Sequence, residues 1–209
     1  MGIAHFRRKP ATAALLLLIA TAFAVELLVG ALGSAEKMRR LGAITPDLFS
    51  TGEHGRLWKG IFLHGSFAHW IANSWALLQL GGLFEEMFGS RRFLIVWFAT
   101  GACASAVSSF FLKPDGLSVG ASGAIFGVTG AFLFTVARSD YWKNHPVSRG
   151  LLVQLSLWGV INIAFGALTP FVDNAAHIGG FVAGLLVGLL PQRPASRLHT
   201  ATRAPSPSA

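Results

Sequence analysis

Six apolar stretches, roughly residues 11–33, 67–88, 93–112, 120–138, 150–169 and 174–190, dominate this chain. Crossing a bilayer takes about 20 predominantly apolar residues, so each stretch is long enough or nearly so. Only 12% of the residues are charged, about half the share found in soluble domains. The chain is therefore expected to be an all-α polytopic membrane protein, a six-transmembrane-helix bundle. The first stretch follows "FRRKP" and is longer than the ~7–15-residue core of a secretory signal. It reads as a retained span, with Glu26 an oddity inside it.

Orientation follows from the basic residues, which are enriched on the cytoplasmic side of membrane proteins. With the N-terminus inside, eleven Lys and Arg fall in inner segments and six in outer ones. Five of those six lie in the long connection 34–66. Both termini are expected in the cytoplasm, with "YWK" at 141–143 as an inner aromatic anchor. The organisation is then a tail at 1–10, a membrane domain at 11–191 and a Pro/Ser/Ala-rich disordered tail at 192–209. No internal repeat is visible. The 34–66 connection carries "RLWKGIFLHGSFAHW", too apolar for a solvated loop and too broken for another span. It predicts a structured, amphipathic loop in the outer interface. The net charge of +8 is scattered between spans and not gathered on one face, which argues against nucleic acid. The lone Cys103 cannot form an intramolecular disulfide and reads as a small packing residue.

Polar groups inside spans are expensive and usually mark function. Four stand out: His69 and Asn73 in "HWIAN", Ser122 in "GASG" and His177 in "NAAHIGG". All sit near the starts of spans that enter from the outer side. At ~1.5 Å rise per residue, Ser122 and His177 lie only ~6–8 Å along their helices, at one shallow depth. Ala176, Gly180, Gly184 and Gly188 recur at every fourth position of the last span, and Gly123, Gly127 and Ala131 do so in the fourth. Residues four apart share a face, and small faces let two backbones approach closely. Pairing those faces brings Ser122 and His177 within bonding reach. A serine hydroxyl needs a base to become a nucleophile, and a neutral imidazole can supply one. The oxyanion then needs donors. His69 and Asn73, an i,i+4 pair, are candidates together with the Ser122 backbone N–H. Asp173 is expected in the interfacial loop and not as a third member.

Each residue also has a plainer explanation. A serine in a Gly/Ala-rich span usually packs, and Ser122 can equally be filler or a helix cap. "GASGA" departs from the soluble G-x-S-x-G elbow at Ala124. His64 reads as a structural hydrogen-bonder in the loop. A metal site from His64, His69 and His177 lacks any supporting ligand spacing, and no cofactor or metal is called for. The joint pattern, with matched side, depth and small faces, favours chemistry over padding.

These motifs resemble the rhomboid family of intramembrane serine proteases. "HGSFAHWIANSWALL" is similar to its His-x4-His-x3-Asn segment (His64, His69, Asn73), and "GGLFEEMFGSRRF" to the segment that follows, with Glu85 and Gly89. "GASGAIFG", with Gly120, Ser122 and Gly123, is similar to the nucleophile motif, and "AHIGGFVAG", with His177, Gly180 and Gly184, to the last-span motif. The resemblance covers roughly 52–190. It implies a rhomboid-like bundle and a Ser122–His177 dyad without an aspartate. It also implies oxyanion donors at His69 and Asn73 and an aromatic packing on the imidazole at Phe126. Two departures stand out: Gly55–Arg56 where the family has Trp-Arg, and Met87 where an Arg commonly follows the glutamate.

The expected substrate is a single-span membrane protein, cut near the outer face of a bacterial plasma membrane after its helix unwinds beside small residues. The fifth span and "GALTPFVDNAA", with Gly166 and Pro170, are the candidate gate. The rival classes are a small transporter, which would usually show related halves, and a non-proteolytic rhomboid-like protein that binds membrane helices.

Overall fold

A computed structural model of the chain describes residues 9–139, 146–169 and 172–190. Most of the 1–10 tail, the 192–209 tail, the anchor at 141–143 and Pro170 lie outside those residues. Helix α1 runs Pro10–Leu28, ending short of the expected residue 33. Proline at its first position is pre-set for a helix start and has no N–H to leave unpaired. Its remaining free amides are capped from a distant part of the chain. Glu85 accepts from the N–H groups of Ala11 and Thr12, both at 2.8 Å, and from the Thr12 hydroxyl at 2.7 Å. Ser90 Oγ donates to the same carboxylate at 2.6 Å, and Lys9 pairs with Glu86 at 2.9 Å. A carboxylate at a helix N-terminus meets both orphan donors and the positive end of the dipole. Glu85 therefore has full partners although Met87 stands where an Arg was expected.

The long first connection is folded in short pieces. Helix α2, Ala35–Leu41, starts on the Ser34 hydroxyl and stops at Gly42. Helix α3, Arg56–Lys59, continues into a single 3-10 turn, Gly60–Phe62. Arg56 staples the loop: it bonds both Glu53 oxygens at 2.8 and 3.0 Å and the carbonyls of Arg39 and Ala43 at 2.6 and 2.9 Å. The segment read as amphipathic and interfacial is thus partly core, because Ile61, Leu63 and His64 are buried. The loop is also tied to the chain just ahead of Ser122. Ile44 and Ser118 exchange backbone bonds of 2.8 and 3.1 Å, and Gly120 N–H donates to the Gly60 carbonyl at 2.9 Å.

The second rod is α4, Phe67–Ala76, then a π-helical turn at Leu77–Gly81, then α5, Gly82–Phe88. Helix α6 is Ser90–Phe111, α7 is Ser122–Arg138, α8 is Pro146–Leu168 and α9 is Asn174–Gly188. Phe84 meets both Phe93 and Phe132 with ring centroids 6.1 Å away and so knits α5, α6 and α7 together. Helices α1, α6 and α8 are long and apolar enough to cross a bilayer, whereas α7 and α9 are apolar but shorter. At ~1.5 Å per residue, the 15 residues of α9 reach ~22 Å, less than the ~30 Å hydrocarbon core. Cys103, expected to pack, is exposed on α6, whose inner face is carried by Thr100, Gly101 and Ala104.

Candidate active site

Close approach of backbones sets the geometry. A methyl group at Gly180 would lie 2.0 Å from the Gly123 carbonyl oxygen, and one at Gly184 the same distance from the Gly127 carbonyl. From the other side, a methyl at Gly130 would lie 2.3 Å from the Phe181 carbonyl. Helices α7 and α9 thus touch backbone to backbone, which no residue larger than glycine permits at these points. The expected pairing of small faces needs one correction. The hydrogen side of Gly123 and Gly127 is turned chiefly to α6, where Ala104 Cβ and Thr100 Oγ1 would meet an added methyl at 2.5 and 2.0 Å. Helix α7 is therefore squeezed from two sides. Gly130, not singled out from the sequence, supplies its own contact to α9.

This seam delivers two side chains to one point. Ser122 is the first residue of α7, and His177 lies in the first turn of α9. Ser122 Oγ and His177 Nε2 are 2.9 Å apart. The serine is not an N-cap, since Ala121 holds that position without a side-chain bond. The imidazole is buried and lies flat on Phe126, with centroids 4.3 Å apart and planes 11° from parallel. Trp158 of α8 backs Phe126 at 5.1 Å. His177 Nδ1 is buried and meets no hydrogen-bond partner among the described residues.

Asp173, expected in the loop, is the N-cap of α9. Its Oδ1 accepts from the Ala176 N–H at 2.9 Å, and its other oxygen accepts from the Ser108 hydroxyl. Neither oxygen is hydrogen-bonded to the imidazole. Asn174 donates to the Ile163 carbonyl at 3.0 Å, its side chain lying over Gly166. The sequence reading did not single out Ser108 or Asn174. A serine or asparagine at a helix end has many uses, and only the fold reveals the partner.

His69 and Asn73 face the same point from α4. Gly120 has φ +125°, and a methyl there would meet His69 Cε1 and Nε2 at 2.6 and 2.7 Å and Asn73 Nδ2 at 3.3 Å. The residue must be glycine twice over, for its backbone angle and for the His69 ring and Asn73 amide laid on it. Asn73 Nδ2 is buried and meets no hydrogen-bond partner among the described residues, which leaves its hydrogens available to an acceptor placed there. Beside Ser122 lies a cavity of about 10 Å³ lined by Ile44, Gly60, Ser105, Ser118 and Gly120, close to the room one water needs. His64 is buried in the loop wall. Its Nδ1 lies 3.1 Å from the Phe62 carbonyl, which can only accept, so Nδ1 carries the hydrogen. Burial holds this ring far below the ordinary histidine range, at about 3, and keeps it neutral.

A model of the rhomboid domain matches residues 51–193. RHOMBOID-like protein 5 of Arabidopsis thaliana is 38% identical over 158 residues, covering 75% of this chain and 50% of that protein. Rhomboid protease GluP of Bacillus subtilis (strain 168) is 36% identical over 151 residues, covering 72% of this chain and 29% of its own length. Rhomboid-like protease 2 of Toxoplasma gondii is 32% identical over 148 residues, 71% of this chain and 51% of that one. The chain spans about half or less of the length of these curated relatives.

Proposed function

This chain belongs to the rhomboid family, and on that premise we propose that it is an intramembrane serine endopeptidase working through a Ser122–His177 dyad. The observation that carries the reading is the 2.9 Å contact between Ser122 Oγ and His177 Nε2, made between two helices whose backbones touch. With the hydrogen on Nδ1, Nε2 presents its lone pair to the hydroxyl. As Ser122 Oγ attacks a peptide carbonyl, its proton passes to Nε2, and the carbonyl oxygen takes the negative charge. Asn73 Nδ2, His69 and the Ser122 N–H, one of the unpaired amides that open α7, donate to that oxygen. Donors fixed beforehand in a water-poor site stabilise the charge at little reorganisation cost. The imidazolium, resting on Phe126, then gives its proton to the leaving amine. A water next attacks the acyl ester, losing its proton to Nε2, and the carboxylic product departs as Ser122 recovers its hydrogen.

The proposed substrate is a single transmembrane segment, unwound near its outer end, with a small residue before the cut. A helical carbonyl is hydrogen-bonded and shielded, so Gly, Ala or Ser near the scissile bond eases exposure. The distribution of Lys and Arg supports cytoplasmic termini and a site near the outer face. The test uses purified protein in detergent with a panel of labelled single-span substrates. Cleavage is expected, and Ser122→Ala and His177→Ala should each abolish it while the helical signal persists. Cleavage that survives Ser122→Ala would sink the proposal.

A further inference from the structure

We infer that Glu26 is a positioning residue for this site, supplied by α1 from outside the residues that the rhomboid model matches; the inference rests on the proteolytic reading above. Glu26 is wholly buried and is the one ionisable residue of α1. An ionisable side chain there is costly, and packing alone would be served better by an aliphatic one. Its Oε1 accepts the backbone N–H of His64 at 2.8 Å. Phe23, three residues earlier on the same face, stacks on Trp70 at 4.9 Å and meets Phe67 edge-on at 5.0 Å. Two neighbouring side chains of α1 thus fix the entry into α4, one by a hydrogen bond and one by rings.

From that anchor the contacts run to the reacting atoms. The His64 ring is locked by its bond to the Phe62 carbonyl and meets the His69 ring edge-on, with centroids 5.1 Å apart. The His69 ring lies over Gly120, two residues before Ser122. Removing the Glu26 carboxyl frees the His64 amide and loosens the ring that holds His69 in place. His69 acts on charge that exists only during reaction, so the loss falls on kcat while KM stays. Glutamine offers the same acceptor oxygen at the same reach, so the role depends on position and not on charge.

The experiment measures kcat and KM of the full chain in detergent on a labelled single-span peptide that the wild type cleaves. Hydrogen exchange across residues 62–70 is followed in parallel. Glu26→Ala should lower kcat tenfold or more with KM within twofold and should speed exchange at the His64 amide. Glu26→Gln should restore most of kcat and the protection. Should Glu26→Ala fail to fold, Glu26→Met, which refills the volume without an acceptor, is read against Glu26→Gln in the same way. A kcat within threefold of wild type in the Ala or Met variant overturns the inference. So does a Gln variant as slow as they are, or a loss carried by KM. A wild type that cuts no substrate overturns the reading of the site and this inference with it. An active wild type beside an equally active Glu26→Ala overturns the inference alone.

Discussion

The α7–α9 seam and helix α8 are built on opposite plans. Along the seam the side chains are removed. Gly180, Gly184 and Gly130 bring main chain against main chain, with carbonyls of one helix where side chains of the other would stand. Helix α8 keeps its side chains and turns them outward. Val153, Leu157, Val160, Ile161 and Phe165 are all exposed, and far less of its apolar length is buried than of α6. Ser122 and His177 stand on the α7–α9 pair. Helix α8 reaches the site through Trp158 against Phe126 and through the bond from Asn174. Where atoms must be held to a fraction of an ångström, the chain uses backbone contact, and where lipid is the neighbour it uses ordinary bulk.

The sharpest way to break this contrast is Gly184→Val. Its side chain would collide with the Gly127 carbonyl, and the backbone cannot give way as a side chain can. A loss of about 3 kcal/mol or more is expected, seen as a collapse of the thermal melt in detergent together with loss of cleavage. A melt within a few degrees of wild type would show that the seam is not rigid. Ser122→Ala separates rigidity from chemistry. It deletes one partly buried hydrogen bond, costs about 1 kcal/mol or less, and removes activity entirely. A large drop in melting temperature would mean that the hydroxyl helps hold the helices together.

Asn174→Ala cuts the hydrogen bond between α9 and α8. Interhelical bonds in membranes average about 0.6 kcal/mol, so a small shift in the melt is expected. Crosslinking yield between cysteines placed on α8 and α9 should fall at the same time. Leu157→Ala, on the exposed face of α8, should change stability by less than about 0.5 kcal/mol. An effect as large as that of Gly184→Val would erase the distinction.

The rods themselves were legible because apolar length alone dictates them. The Ser122–His177 contact was legible because depth and small-residue spacing both pointed to it. The partner of each glycine was not, since a bare face says that something comes close and not what. Gly123 and Gly127 turn out to admit Ala104 and Thr100 of α6, themselves four residues apart, so spacing alone does not choose between α6 and α9 as the partner. Glu26 drew notice as an acid in lipid, but its partner at residue 64 lies 38 positions away and leaves no local trace. Asp173 does lie just outside the helix, as expected, but its work as the N-cap of α9 was not legible, because an N-cap and a loop end look alike until the helix start is known.

The π-helical turn at Leu77–Gly81 has a last consequence for anyone drawing this rod as a wheel. Each residue of a regular helix advances the azimuth by about 100°, and a single π turn holds about one residue more than an α turn. The first half of the rod, with His69 and Asn73, and the second half, with Glu85, are therefore out of phase by roughly that angle. A projection of 67–88 as one cylinder superimposes two different faces. Deleting one residue between 77 and 81 would re-phase the halves, so that His69 and Asn73 could no longer lie over Gly120 while Glu85 caps α1.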